Sequence, residues 1–163
     1  MAEPAAARLT VDLDALAHNH AVLSRAAGAA EVAPVLKADA YGLGVAQVAR
    51  RLWAEGARRF FVARLAEGED LRAALTPKRP AVIYVLDGLT EGAGPRLAAA
   101  DLTAVLCTLP QVHAAAAWTR EGGASLSVGL HVDTGMNRQG LTLEEARALH
   151  KAPESRGRLS LDL

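Results

Sequence analysis

The chain has 163 residues, 51% hydrophobic and 4% aromatic, and its 18 basic and 18 acidic side chains cancel. That is one domain's worth of sequence with ample apolar surface for a core, and a neutral chain poor in aromatics argues against a nucleic-acid partner. No apolar run approaches the roughly 18–20 residues of a membrane span, and the single cysteine, Cys107, excludes an internal disulfide and a cysteine-based metal cluster.

Residues 1–8 read as a frayed leader. Met1-Ala-Glu-Pro places an acid and a proline where a secretory signal needs basic and then apolar residues, so a reducing cytoplasm fits best. Leu9-Thr-Val11 is a short strand candidate, and Asp12 can cap the helix that follows. In that helix Leu13, Leu16, His20 and Leu23 recur at helical spacing, and the pattern runs out near Gly28. His18 and His20 are two apart, project in different directions, and cannot grip one metal from this helix. No metal site is expected.

The next stretch, Glu31-Val-Ala-Pro-Val-Leu-Lys37-Ala-Asp-Ala-Tyr41-Gly-Leu-Gly44, is the most informative in the chain. Val32 to Leu36 reads as a buried strand with Lys37 at its carboxyl end. There an amine is fixed in place, and burial lowers its pKa toward the nucleophilic form. Gly42 and Gly44 let backbone N–H groups approach a ligand, and the helix behind them offers a positive dipole end to an anion.

Beyond it, Val45, Val48 and Leu52 form the apolar stripe of a helix ending at Gly56. Phe60 to Ala63 is a strand, and Leu65 to Leu75 a helix stopped by Pro77. Glu67-Gly-Glu-Asp70 at its start reads as solvated. Ala81 to Leu86 is a third strand, about 90–100 a small helix, Leu102 to Leu106 a fourth strand, and Leu109 to Arg120 a helix. Leu126 to Val132 is a fifth strand. Thr142-Leu-Glu-Glu145 has the spacing of a capping box for a helix reaching about Lys151, and Leu159 to Leu163 opens a sixth strand. Strands and helices thus alternate every 25–30 residues or about that, which implies parallel strands joined by helical crossovers. Pattern alone leaves a doubly wound sheet or a (β/α)8 barrel. Gly42-Leu-Gly-Val-Ala-Gln47 begins like a dinucleotide fingerprint but has Gln47 where the third small residue belongs.

A second specific stretch is His131-Val-Asp-Thr-Gly-Met-Asn-Arg138-Gln-Gly140. A strand runs into the turn-prone trio Asp133-Thr-Gly135, so its polar residues also fall at a strand's carboxyl end.

Lys37-Ala-Asp-Ala-Tyr-Gly-Leu-Gly44 resembles the signature of alanine racemases that bind pyridoxal phosphate, and Val11 to Asn19 resembles that family's opening segment. The resemblance implies an incomplete (β/α)8 TIM-type barrel with about five and a half βα units. It implies Lys37 as cofactor lysine and catalytic group and Tyr41 at the cofactor phosphate. Arg138 is implied by the cofactor's phenolic oxygen and the substrate carboxylate, where its planar fork can give paired hydrogen bonds. Met136 and Asn137 are expected to line the same mouth, with gap filling in the core the equal alternative for Met136. His131 stands where many members carry a carbamylated lysine; an imidazole forms no such stable carbamate, so that feature does not carry over. Two structural roles are open to His131, orienting Arg138 through Asp133 or water, or packing in its strand.

The resemblance further implies a homodimer in the intact protein, a mostly β C-terminal domain, and D-alanine for peptidoglycan as the product. Residues 1–163 are expected to be the N-terminal part of such a protein. The opposite-face tyrosine and the main phosphate loop are expected outside them, and the chain alone is not expected to racemise alanine. A single-domain carrier of pyridoxal phosphate on the same barrel and a non-catalytic fragment are the rival readings. His113, His150 and Cys107 have structural readings.

Overall fold

In the computed structural model, which describes residues 7–122, 124–152 and 157–163, Asp12 starts the first element as its position predicts. Its Oδ1 accepts the N–H groups of Asp14 and Ala15, both at 2.9 Å, opening α1 (Leu13–Ala27). Gly28, at φ 62°, ends it. The helix buries Ala17 and His20 but leaves Leu23 58% exposed, so it flanks the core. Leu9–Val11, expected as a strand, pairs with no strand among the described residues. Residues 1–6 of the expected leader lie outside the described residues.

The sheet is built from β1 (Arg59–Val62), β2 (Val82–Val85), β3 (Thr103–Leu106), β4 (Leu126–Leu130) and β5 (Leu159–Leu161). All neighbours are parallel, and their order in space is their order in the chain. After β1 to β4 come, in turn, α4 (Leu65–Leu75), α5 (Gly94–Ala99), α6 (Leu109–Arg120) and α7 (Leu143–Lys151). A doubly wound sheet reverses strand order at a switch point; this one never does, which settles the choice for the barrel.

Side chains alternate between two layers as the pleat requires. Phe60, Val62, Ile83, Val85, Ala104, Leu106 and Val128 are buried in the main core, toward the helices. Phe61, Tyr84, Val105 and Cys107 form a second cluster on the opposite face, with the Phe61 and Tyr84 rings stacked at 4.5 Å. On that face Arg59 Nη1 lies 3.1 Å from Asp162 Oδ2, and both groups also bond the Tyr84 hydroxyl. Arg59 is on β1 and Asp162 directly follows β5. Four strand steps span about 19 Å in a flat sheet, so this contact reports a sheet curled inward as a barrel arc.

The lysine segment adds one more line to the arc, but not as a regular buried strand. Only Val35 bridges β1, opposite Phe61, and Val35 is 41% exposed. The Leu36 N–H donates to the Phe61 carbonyl at 2.7 Å, and the Phe61 N–H to the Pro34 carbonyl at 2.9 Å. Pro34 has no N–H to give, so the ladder cannot continue upstream. After the segment come the short turn α2 (Lys37–Tyr41) and helix α3 (Val45–Ala54), which packs against α1 and α4.

Candidate active site at the strand ends

The turn that carries Lys37 is left-handed. Ala38, Asp39, Ala40 and Tyr41 have φ between 52° and 55°, and Gly42 follows at φ 83°. A left-handed helical residue other than glycine costs about 1–2 kcal/mol, so these four store about 4–8 kcal/mol of backbone strain. Local hydrogen bonds offset part of it. The Ala40 N–H reaches the Leu36 carbonyl at 3.0 Å, and the Gly42 N–H reaches Ala38 at 2.9 Å and Asp39 at 3.1 Å. Leu36 and Ala40 are both buried and root the turn in the core. Residues four apart fall on one face of a single turn, and Lys37 Nζ accordingly stands 5.9 Å from the centre of the Tyr41 ring. The lysine is half-buried and makes no ion pair among the described residues; the phenol ring is 63% exposed.

Two carboxylates hold this turn. Asp39 Oδ1 accepts the Val45 N–H at 2.7 Å, capping α3, while the Asp39 carbonyl accepts the Gly44 N–H at 3.0 Å. The N–H groups of Gly42 and Gly44 are therefore used inside the turn, and the start of α3 already faces a carboxylate. The expectation that these groups receive a ligand anion is corrected on both counts. Glu67, on the first turn of α4, accepts the Ala38 N–H at 2.8 Å with one oxygen and those of Ala63 and Arg64 at 2.8 and 3.1 Å with the other. Burial raises its pKa, but these three backbone donors and the Arg64 charge outweigh that and hold the carboxyl below the usual range. Glu67 is thus not a solvated residue. Its spacing from Arg64 is that of a capping box, but the basic residue at the cap position hides the pattern.

Arg138 and Met136 lie in the loop after β4, exposed to solvent, and Arg138 makes no hydrogen bond or ion pair among the described residues. The loop is shaped by Asp133, whose Oδ1 accepts the N–H groups of Gly135 at 2.9 Å and Asn137 at 3.0 Å. Those two bonds, that to Asn137 foremost, draw the Asp133 carboxyl below its ordinary range. A bridge between Val132 and Leu141 closes its base. The strands are parallel, so this loop and the lysine turn emerge from the same end of the sheet, separated by β1, β2 and β3. Lys37 and Tyr41 stand together on one turn; Arg138 and Met136 lie in the loop at the same end of the sheet, three strands away, with no contact to that turn among the described residues. His131 sits against Cys107, with Nδ1 3.7 Å from Sγ, and makes no bond to Arg138. Cys107 is buried in the inner layer, and burial, helped by Asp87, pushes its thiol pKa up. His113 and His150 are exposed on helix faces.

The donor set suits pyridoxal phosphate in kind: an amine for an aldehyde, an exposed phenol and a guanidinium for anionic oxygens. Other features offer it less. An apolar groove of about 340 Å³ runs between α1 and the lysine segment, bordered by Leu16, His20, Leu23, Pro34 and Leu43. It gives a phosphate little to bind, although His20 Nε2 is buried there without a partner among the described residues. Tyr84 is fully buried, its hydroxyl held by Arg59 and Asp162, and burial followed by the Asp162 bond raises its pKa. No group of three or more metal-ligating side chains exists among the described residues, and none of their helices is long and apolar enough to cross a membrane.

The sequence profile described as "Alanine racemase, N-terminal domain" matches residues 11–163. Alanine racemase from Methylobacterium sp. (strain 4-46) is 49% identical over 146 residues, 90% of this chain and 39% of that protein. Alanine racemase from Rhizobium meliloti is 47% identical over 149 residues, 91% of this chain and 38% of that protein. The chain therefore spans about two fifths of the length of the curated relatives it matches. Among solved structures, alanine racemase from Bartonella henselae with covalently bound pyridoxal phosphate superposes with a TM-score of 0.80 at 28% identity, covering 91% of this chain and 42% of that one. Histidine racemase from Leuconostoc mesenteroides subsp. sake superposes at 0.78 with 32% identity, covering 90% and 39%. With a match that takes in the lysine turn, the arc of strands and the Arg138 loop together, this chain belongs to the alanine racemase N-terminal domain family.

Proposed function

We propose that these residues form the cofactor-lysine part of the barrel of a pyridoxal-phosphate-dependent alanine racemase that works as a cytoplasmic homodimer. The observation that carries this reading is the left-handed Lys37–Tyr41 turn, which sets the amine and the phenol on one face, 5.9 Å apart. Pyridoxal phosphate, when bound, supplies an electron sink for the bonds at the amino acid's α-carbon. The residues of this chain hold and orient. Lys37 Nζ would hold the cofactor's aldehyde and, as a free amine, would take or return a proton at the substrate's α-carbon on one face. Tyr41 steadies the phosphate from the same turn. The Arg138 fork binds the substrate carboxylate from the opposite side of the mouth, with Met136 limiting the space beside it.

A racemase needs a second acid/base group on the other face. Tyr84 cannot serve, because its hydroxyl is committed to Arg59 and Asp162 inside the sheet. We assign that group, and the main phosphate anchor, to the part of a longer racemase that these residues do not include. Alanine is favoured as substrate by relatives 42–49% identical that are named alanine racemases. The histidine racemase fold neighbour makes L-histidine the competitor to assay.

The test is D-amino-acid formation from L-alanine and L-histidine by a protein carrying these residues within the full length of its relatives. Arg138→Lys should lower turnover about tenfold or more with the melting temperature unchanged, since a point charge cannot replace the fork. Equal turnover by wild type and variant would remove Arg138 from the site, and faster histidine turnover would reassign the substrate.

A further inference from the structure

Glu67 does more than cap its own helix. A cap at this position needs one oxygen for the Arg64 N–H, 3.1 Å away; the other oxygen takes the N–H of Ala38, a residue 29 positions earlier. Ala38 is the first residue past Lys37, and Ala63, the third donor, is the first past β1. The last ladder bond between these two segments runs from the Leu36 N–H to the Phe61 carbonyl at 2.7 Å. Beyond it the chain curls into the left-handed turn, so Ala38 and Ala63 present N–H groups at adjacent segment ends with no carbonyl to receive either. One carboxylate answers both. The backbone on either side of Lys37 is thereby fixed, by Phe61 before it and by Glu67 after it.

We propose that Glu67 is a positioning residue for the cofactor lysine: its carboxylate clamps the backbone beside Lys37 to the end of β1 and so sets where the Lys37 amine stands. This rests on the reading of Lys37 as the cofactor lysine. A side chain on a floppy turn searches many positions, whereas one whose neighbouring amides are both held samples few, and that preorganisation sets how readily the amine meets an aldehyde. A neutral amide at residue 67 has one acceptor oxygen and cannot serve both strand ends.

The test uses a protein carrying these residues within the full length of its relatives, with Glu67→Gln and with Glu67→Asp, which keeps the charge but is one methylene shorter. The other lysines within these residues, Lys78 and Lys151, are exposed and act as internal references. Three quantities are read: amide hydrogen exchange at Ala38, acetylation of Lys37 relative to Lys78 by limiting acetic anhydride, and pyridoxal phosphate fixed on each lysine by borohydride. In Glu67→Gln, exchange at Ala38 should quicken on the order of 10–100-fold, as loss of a charge-assisted hydrogen bond from a local opening predicts. Exchange in β3 should not move. The Lys37 to Lys78 acetylation ratio should change with it, and cofactor fixed on Lys37 should fall while that on Lys78 and Lys151 stays level. If Glu67→Gln also loses β3 protection, the Glu67→Asp comparison decides. Wild-type values for the Lys37 ratio, whether or not Ala38 exchange has quickened, would overturn the proposal and leave Glu67 a helix cap. Wild-type protein that fixes cofactor no better on Lys37 than on Lys78 would overturn the cofactor-lysine reading instead. Exchange and acetylation, which need no cofactor, would still decide the positioning role.

Discussion

Replacing Ala38 by glycine should stabilise this protein, against the usual sign of such a change. Ala38 lies at φ 52°, ψ 51° with its side chain exposed. Glycine removes a left-handed penalty of about 1–2 kcal/mol and costs about 0.4–1 kcal/mol through a freer unfolded chain. The net is a gain of about 0–1.6 kcal/mol. Ala40, at φ 54°, ψ 47°, shares the conformation but is 2% exposed, so glycine there also forfeits a buried methyl, about 0.8 kcal/mol. Ala38→Gly should therefore exceed Ala40→Gly in stability by about that amount. Urea unfolding with matched m-values measures both. A loss of about 1 kcal/mol in Ala38→Gly, as glycine causes inside a right-handed helix, would refute the left-handed turn.

Acid should loosen the lysine turn before the rest of the fold. Glu67, bordering a small hollow with Asp39 and Asp70 and near Arg64, has its folded-state pKa below its unfolded value of about 4.3. Its contribution is complete above that value and is lost as pH falls through the folded pKa, so exchange at Ala38 should rise there, and Glu67→Gln should flatten the rise. Tyr84→Phe removes the hydroxyl shared by Arg59 and Asp162 inside the barrel arc. It should cost about 1–3 kcal/mol in urea unfolding, and no loss would mean that the ion pair alone holds β1 to the end of β5.

Much of the fold was legible because local pattern and tertiary role agree. Leu65–Leu75 and Leu109–Arg120 are the helices their spacing predicts, and the five strands after the lysine segment fall within a residue or two of their apolar runs. The lysine segment was less legible, since Val32–Leu36 has strand composition but Pro34 withholds the N–H a ladder needs. The handedness of the turn was not legible at all. Ala-Asp-Ala-Tyr contains no glycine, and nothing local favours φ near 53° over a right-handed helix. It is imposed by tertiary partners, above all a glutamate 29 residues away, which composition and helical position cast as a solvated helix start. Lys37, Tyr41 and Arg138 stood out through their motifs; the groups that hold Lys37 in place did not, because a carboxylate bonding backbone leaves no residue pattern at its partner.

Under the proposed function, Lys37 is the lysine this fold offers to pyridoxal phosphate. A protein carrying these residues within the full length of its relatives is incubated with that cofactor, reduced with borohydride, digested, and its lysine-bearing peptides are quantified by mass spectrometry. The pyridoxyl group should accumulate on the peptide containing Lys37, and Lys37→Ala should not shift it to another lysine. Labelling spread evenly over Lys37, Lys78 and Lys151, or concentrated on either of the latter two, would contradict it.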